Sequence, residues 1–268
     1  MKAPQKRFLY GQSNTTLTHF LMIWQRFKDN LIIYCCEALG LGLFMFSAGF
    51  FDAIMEYPGL PFRQLLPSAL LRRSLVGLAM GLTALYILNS AFGKKSGAHI
   101  NPSVTWVQYR LGNIDAVDSV FYVIFQFVGG SIGMYLIYIL MPHSISHNAI
   151  NYIVTKPLDG SVALAFILEF IISFLLMAGV LYTNSTKKLS KYTASLVGVL
   201  LALFIAFEAP YSGTSMNPAR TFASAIVANQ WNSFWLYCIA PPLGMWCAEV
   251  FVRKVLHKKL AKVSLQND

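Results

Sequence analysis

Ser96-Gly97-Ala98-His99-Ile100-Asn101-Pro102-Ser103-Val104-Thr105-Trp106 and Ser212-Gly213-Thr214-Ser215-Met216-Asn217-Pro218-Ala219-Arg220-Thr221-Phe222 are the two segments on which the reading of this chain turns. Aligned without a gap at an offset of 116 residues (212 minus 96), they share Ser, Gly, Asn, Pro and Thr, and each ends on a large aromatic. Asn is a favoured helix N-cap, and Pro is favoured at the first helical position, where its missing N–H costs nothing. Each box therefore predicts a helix start, one running from Asn101 to about Gly112 and the other from Asn217 to about Ala228. A dozen residues at about 1.5 Å each reach roughly half of the ~30 Å apolar thickness of a bilayer. These are half-helices.

Everything around the boxes is membrane-like. The 268 residues are 56% hydrophobic and only 12% charged, against about 25% charged in an average soluble domain, which excludes an ordinary soluble enzyme. Six apolar runs, 31–54, 68–92, 119–141, 162–183, 192–210 and 233–253, are long enough to cross a bilayer. Each box follows the second run of its half, and an isolated carboxylate, Glu37 or Glu169, stands in the first run of each half. Three spans per half make the second copy enter from the opposite side, an inverted repeat whose functional site belongs at the midplane. The half-helices then meet N-terminus to N-terminus, presenting positive dipole ends and two Asn amides. The loops before them, 97–100 and 213–216, become irregular backbone at membrane depth, tolerated only where protein buries it or water wets it. Gly77 with Gly81, and Gly129 with Gly133, have the small-xxx-small spacing that lets helix backbones approach. The expected fold is an all-α membrane protein of six transmembrane helices plus two half-helices. A channel domain at 31–253, built from repeats 31–145 and 160–253, is flanked by tails at 1–30 and 254–268.

The net charge of +10 comes from Lys and Arg at segment ends, with no basic face interleaved with aromatics, so nucleic acid is not an expected partner. With the N-terminus inside, sixteen of the 21 Lys and Arg fall on the inner side and five on the outer. That asymmetry puts both termini in the cytoplasm and the protein in a plasma or inner membrane. The first apolar run starts only at Leu31, after five basic residues, which argues against a cleaved signal peptide. Phe20, Ile23, Trp24 and Phe27 recur at helical spacing, fitting an interfacial helix or a cap packed on the bundle. Cys35, Cys36, Cys238 and Cys247 read as small hydrophobes within apolar segments. His143 and His147 stand four apart without an evident third ligand, and no nucleophile–base pair or phosphate-binding loop occurs. No metal, cofactor or enzymatic activity is expected. Glu37 and Glu169 could relay protons in a coupled transporter, but the paired Asn-Pro boxes favour a passive channel. Glu208 and Glu249, near span ends, call for no special role.

With Arg220 directly after the second box, the pattern resembles the aquaporin or major intrinsic protein family over about 31–253, in wording closest to its bacterial branches. The resemblance implies a homotetramer in the lipid bilayer, each subunit holding a passive pore for water and small neutral solutes such as glycerol. In it the boxes Asn101-Pro102-Ser103 and Asn217-Pro218-Ala219 would form a midplane constriction, with Asn101 and Asn217 donating N–H groups to passing oxygens. Arg220, Thr214, Ile205 and either Met80 or Gly81 would form a narrower filter toward the outer face, and Arg220 with the half-helix ends would exclude protons and ions. Glu37 and Glu169 would accept hydrogen bonds from half-helix or loop N–H groups, and His99 would be a positioning residue. Ser103 departs from the usual Ala, and the filter lacks the aromatic and the His usual in water-selective members. Thr221 and Tyr237-Cys238, by contrast, resemble the water channels rather than the glycerol-conducting members.

Overall fold

A computed structural model describes the backbone from Phe8 to Ser264 and the side chains of residues 17–255; the ends of both expected tails lie outside the described residues. Eight helices carry the architecture: α1 (Phe8–Glu56), α2 (Ala69–Asn89), α3 (Pro102–Arg110), α4 (Ala116–Leu140), α5 (Val162–Asn184), α6 (Thr193–Phe207), α7 (Pro218–Ala228) and α8 (Phe234–Ser264). Helix starts follow local chemistry. Ser68 caps α2 by accepting the Leu71 N–H, Asp115 caps α4 by accepting that of Asp118, and Asn101 and Asn217 cap the half-helices α3 and α7.

Three helix pairs make the most extensive contacts: α1 with α4 and α5 with α8 run parallel, with Arg26 beside Asp118 and Gly49 beside Ile137, and Phe166 beside Trp235 and Phe174 beside Phe251, while α2 and α6 run antiparallel, with Gly77 beside Ala202 and Gly81 beside Gly198. Both glycine pairs sit where backbones touch. A methyl group on Gly133 would stand 2.0 Å from the Gly42 carbonyl oxygen, and one on Gly81 would stand 2.3 Å from that of Gly198. The half-helices cross between halves, α7 packing on α4 and α3 on α8. The face bearing Arg26, Asp118 and Arg253 is called here the tail face, and the opposite one the far face. Outward-facing Leu78, Leu82, Ile132, Ile139, Ile167 and Val199 are about half exposed, a surface suited to hydrocarbon rather than water.

The first apolar run lies inside a longer helix: α1 is continuous from Phe8 through residue 31 to Glu56. In its first part Phe27 packs on the bundle, stacked on Trp24 at 5.4 Å and set against Phe121 at 5.1 Å, with Arg26 paired with Asp118 at 2.7 Å, while Phe20 and Trp24 keep exposed faces. Likewise α8 continues past 253 to Ser264. Among the described residues five helices reach full membrane-spanning length, and α6, the fifth apolar run, has 15 residues. It breaks at Glu208 ahead of the one-turn helix Ala209–Ser212, where Pro210 has no N–H for the Ala206 carbonyl. Arg73 Nε from α2 donates to that carbonyl instead, at 3.4 Å.

Candidate functional site

The site is built twice from the same parts. In the first half Glu37, fully buried, accepts from Ser96 Oγ at 2.7 Å, the His99 N–H at 3.0 Å and the Ile100 N–H at 2.6 Å. In the second half Glu169, also fully buried, accepts from Ser212 Oγ and from the Ser215 and Met216 N–H groups, each at 2.7 Å. Tyr122 Oη donates to the Ser96 carbonyl at 2.8 Å, and Tyr237 Oη to that of Ser212 at 2.6 Å. These carboxylates satisfy loop donors that regular structure cannot reach. The loops need the help, since Ala98, Ile100, Thr214 and Met216 all hold positive φ between 42° and 53°, which costs on the order of 1–3 kcal/mol per residue.

At mid-depth the two boxes are laced together. Asn101 Nδ2 donates to the Met216 carbonyl at 2.7 Å and Asn217 Nδ2 to the Ile100 carbonyl at 2.8 Å. Each Asn Oδ1 accepts the N–H two residues on, from Ser103 at 2.8 Å and from Ala219 at 3.0 Å. A carboxamide nitrogen carries two hydrogens, so the capping and lacing bonds commit one on each Asn. Both Asn side chains line a cavity of about 180 Å³ on the tail side, together with His99, Val104, Met177 and Val197. Pro102 and Pro218 take the first helical positions. Ser103 and Ala219 are packed away from the cavity, and the buried Ser103 hydroxyl has no hydrogen-bond partner among the described residues.

A second cavity, of about 380 Å³, opens on the far side and adjoins the first through shared walls at Phe44, Leu201, Ser215 and Met216. Arg220, Thr214, Ile205 and Met80 line it, and so does Val76. Gly81 does not, because its Cα is pressed against Gly198; of the two second-span candidates it is the packing residue. Contacts of Gly77 with Ala202 and Gly81 with Gly198 fix the antiparallel register. At 1.5 Å per residue that register leaves Val76 about 3 Å from the depth of Ile205, and Met80 about 9 Å from it, nearer Leu201. Arg220 Nη1 donates to the Ile153 carbonyl at 2.9 Å. Ile153 holds φ of 50° to turn that oxygen inward, a conformation rarely adopted by a β-branched residue.

Several residues of the site escaped the sequence reading. Asp52, in the last turns of α1, faces the far cavity, and Glu56 pairs with Arg72 there through two bonds of 2.9 and 3.0 Å. Glu208 contacts both Ser212 Oγ and Thr214 Oγ1. Glu249, 1% exposed, is clamped by Arg110 at 3.1 Å and Arg253 at 2.9 Å, tying the end of α3 to α8. Both carboxylates therefore have structural work, contrary to the expectation from their place near span ends. Thr221 belongs to a hydroxyl chain with Ser215 and Thr155 that braces the second box. His99 Nδ1 lies 3.2 Å from Thr105 Oγ1 with its ring against Tyr122, a positioning arrangement. His147 Nδ1 accepts the Ala149 N–H at 3.1 Å, which gives that ring a local capping bond.

Comparison with known proteins agrees with this geometry. The family model described as Major intrinsic protein matches residues 26–251. Mouse (Mus musculus) Aquaporin-4 is 28% identical over 207 residues, covering 72% of this chain and 62% of its own length; this chain thus spans less than two thirds of that relative. The lens fiber major intrinsic protein of Ovis aries is 31% identical, covering 70% of this chain and 72% of its own, and Aquaporin-5 of Sus scrofa is 32% identical with 69% of each covered. Among solved structures, the aquaglyceroporin from Plasmodium falciparum superposes with a TM-score of 0.73 at 22% identity, over 84% of this chain and 96% of that one. The inverted pair of boxes, their two carboxylates and the half-helices meeting at mid-depth have one common explanation: the chain belongs to the major intrinsic protein family.

Proposed function

We propose that this protein is a passive transmembrane channel for water that also admits small neutral solutes such as glycerol and excludes protons and ions. The single observation that carries the reading is the pair of cavities that adjoin at Phe44, Leu201, Ser215 and Met216, beside the laced Asn101 and Asn217 where the N-termini of α3 and α7 converge. Two positive helix ends and the Arg220 guanidinium oppose cation passage, while amide N–H groups offer hydrogen bonds to a neutral oxygen. Carboxylates do not line the narrow midplane: Glu37 and Glu169 are occupied by loop donors, which argues against a proton relay.

The filter is formed by Arg220, Thr214 and Ile205 together with Val76, Met80 standing one layer deeper. Its aliphatic walls, without a ring at Val76 or an imidazole at Ile205, favour a polyol as a second permeant. The tail face is cytoplasmic, on the sixteen-to-five distribution of Lys and Arg. The half-exposed apolar faces fit lipid and neighbouring subunits of a homotetramer in the cell membrane.

The test is stopped-flow light scattering of the purified protein in liposomes, shrunk first with an impermeant sugar and then with glycerol. Fast shrinkage followed by fast reswelling in glycerol is the expected result. Fast shrinkage without reswelling would restrict the channel to water, and no acceleration of either phase over empty liposomes would overturn the reading.

A further inference from the structure

Ser212 Oγ lies between two carboxyl groups. It is 2.7 Å from Glu169 Oε1 and in hydrogen-bond contact with Glu208 Oε1, while Glu208 Oε2 contacts Thr214 Oγ1. A serine hydroxyl has one hydrogen and an ionised carboxylate has none. One hydrogen cannot make both contacts, and two oxygens held that close without a hydrogen between them repel. Glu169 already accepts two backbone N–H groups at 2.7 Å, the surroundings of an anion. Glu208 has no salt-bridge partner among the described residues.

We propose that Glu208 is a neutral carboxylic acid that positions Thr214 at the wall of the far cavity. Its Oε1–H donates to Ser212 Oγ, the Ser212 hydroxyl donates to Glu169 Oε1, and Oε2 accepts from the Thr214 hydroxyl. Every hydrogen in this chain is used once and every close oxygen pair contains one. The other ionisable groups facing the cluster are Arg220 on α7 and Tyr237 on α8, whose hydroxyl holds the Ser212 carbonyl, with Arg73 of α2 on the neighbouring Ala206 carbonyl. At the repeat offset the first-half counterpart of Glu208 is Phe92 and that of Thr214 is Ala98, so only the far half has this device. Its influence on permeation rests on the channel reading; the protonation does not.

Infrared difference spectroscopy of the reconstituted protein at neutral pH tests the proton directly. The carbonyl stretch of an un-ionised carboxylic acid is expected in the wild type and is lost in Glu208→Gln. Its absence from the wild type, or its survival in Glu208→Gln, overturns the assignment. In the liposome assay Glu208→Gln, which keeps a donor and a carbonyl acceptor, retains the wild-type ratio of glycerol to water permeability. Glu208→Ala, which frees Thr214, shifts that ratio by about fivefold, the bias one hydrogen bond supports. If Ala and Gln behave alike in permeation, the positioning role fails even where the proton is confirmed. If Glu208→Ala does not fold, the Gln spectrum still decides the protonation, and Thr214→Val replaces it in the ratio.

Discussion

The two halves of the molecule use one loop-holding device and finish it differently. Glu37 and Glu169, Ser96 and Ser212, Tyr122 and Tyr237, Asn101 and Asn217 make corresponding bonds within a few tenths of an ångström. Around that frame the first half is closed by His99, beside Thr105, and Gln126, the latter donating to Glu37 Oε2 at 2.7 Å. The second half is closed by a carboxyl, a guanidinium and hydroxyls: Glu208, Arg220, Thr214, and the Ser215–Thr221–Thr155 chain. At the repeat offset the counterpart of Arg220 is Val104. Shared parts thus build the midplane, and the unshared parts put Arg220 and Thr214 at the wall of the far cavity.

The largest effect should come from the shared frame. Glu37→Ala strands donors on Ser96, His99, Ile100 and Gln126, and Glu169→Ala strands those of Ser212, Ser215 and Met216. At ~1–3 kcal/mol for each buried unpaired donor, either loss rivals the about 5–15 kcal/mol of net stability of a typical domain. Both variants are expected to lose the monodisperse folded species in size-exclusion chromatography, Glu37→Ala the more completely. A stable Glu37→Ala protein would break the equivalence of the two carboxylates.

Next in size are changes to the far half alone. Arg220→Ala removes the guanidinium that Ile153 holds in place and should raise permeation of solutes larger than glycerol on the order of tenfold, about 1.4 kcal/mol of barrier. An unchanged solute profile would mean that Arg220 does not form the constriction. Val76→Phe combined with Ile205→His fills the same layer with rings and is expected to lower the glycerol rate relative to water by roughly tenfold. Met80→Phe, one layer deeper, should change that ratio less, and the reverse order would move the filter to Met80. The smallest effect falls on the third box position, where the halves differ by one hydroxyl. Ser103→Ala removes a buried group without a partner and makes the first box match the second. Thermal unfolding in detergent should be unchanged or shifted upward, by no more than ~1 kcal/mol.

The boxes, their caps and the two carboxylates were legible because each is a local or repeated signal: Asn and Pro fix a helix start without help from distant residues. Helix pairing was legible in part, since Gly129 and Gly133 mark a close approach without naming α1 as the partner. The place of Val76 on the far cavity near the depth of Ile205 was not legible, because depth along a helix depends on the register between α2 and α6. The short helix Ala91–Ser96 lies between α2 and the first box, so spacing from the box does not fix that depth. Glu208 and Glu249 read as span ends because hydropathy records where an apolar run stops and not what the backbone does next. The break before Pro210 turns Glu208 inward onto the second box, and the meeting of α3 with α8 buries Glu249. Ile153 carried no signal: its part is a backbone carbonyl, set by a dihedral angle that composition does not encode.

The most direct test of a continuous path through both cavities uses Thr214→Cys and a bulky thiol reagent added to proteoliposomes. None of the native cysteines, Cys35, Cys36, Cys238 and Cys247, lines either cavity, so the unsubstituted protein serves as its own control. The account predicts that the reagent abolishes osmotic water flow through Thr214→Cys, leaves the wild type untouched, and is reversed by reduction when the adduct is a disulfide. Full water flow through a Thr214→Cys protein shown by mass spectrometry to be completely labelled would contradict it, because water would then be crossing by another route.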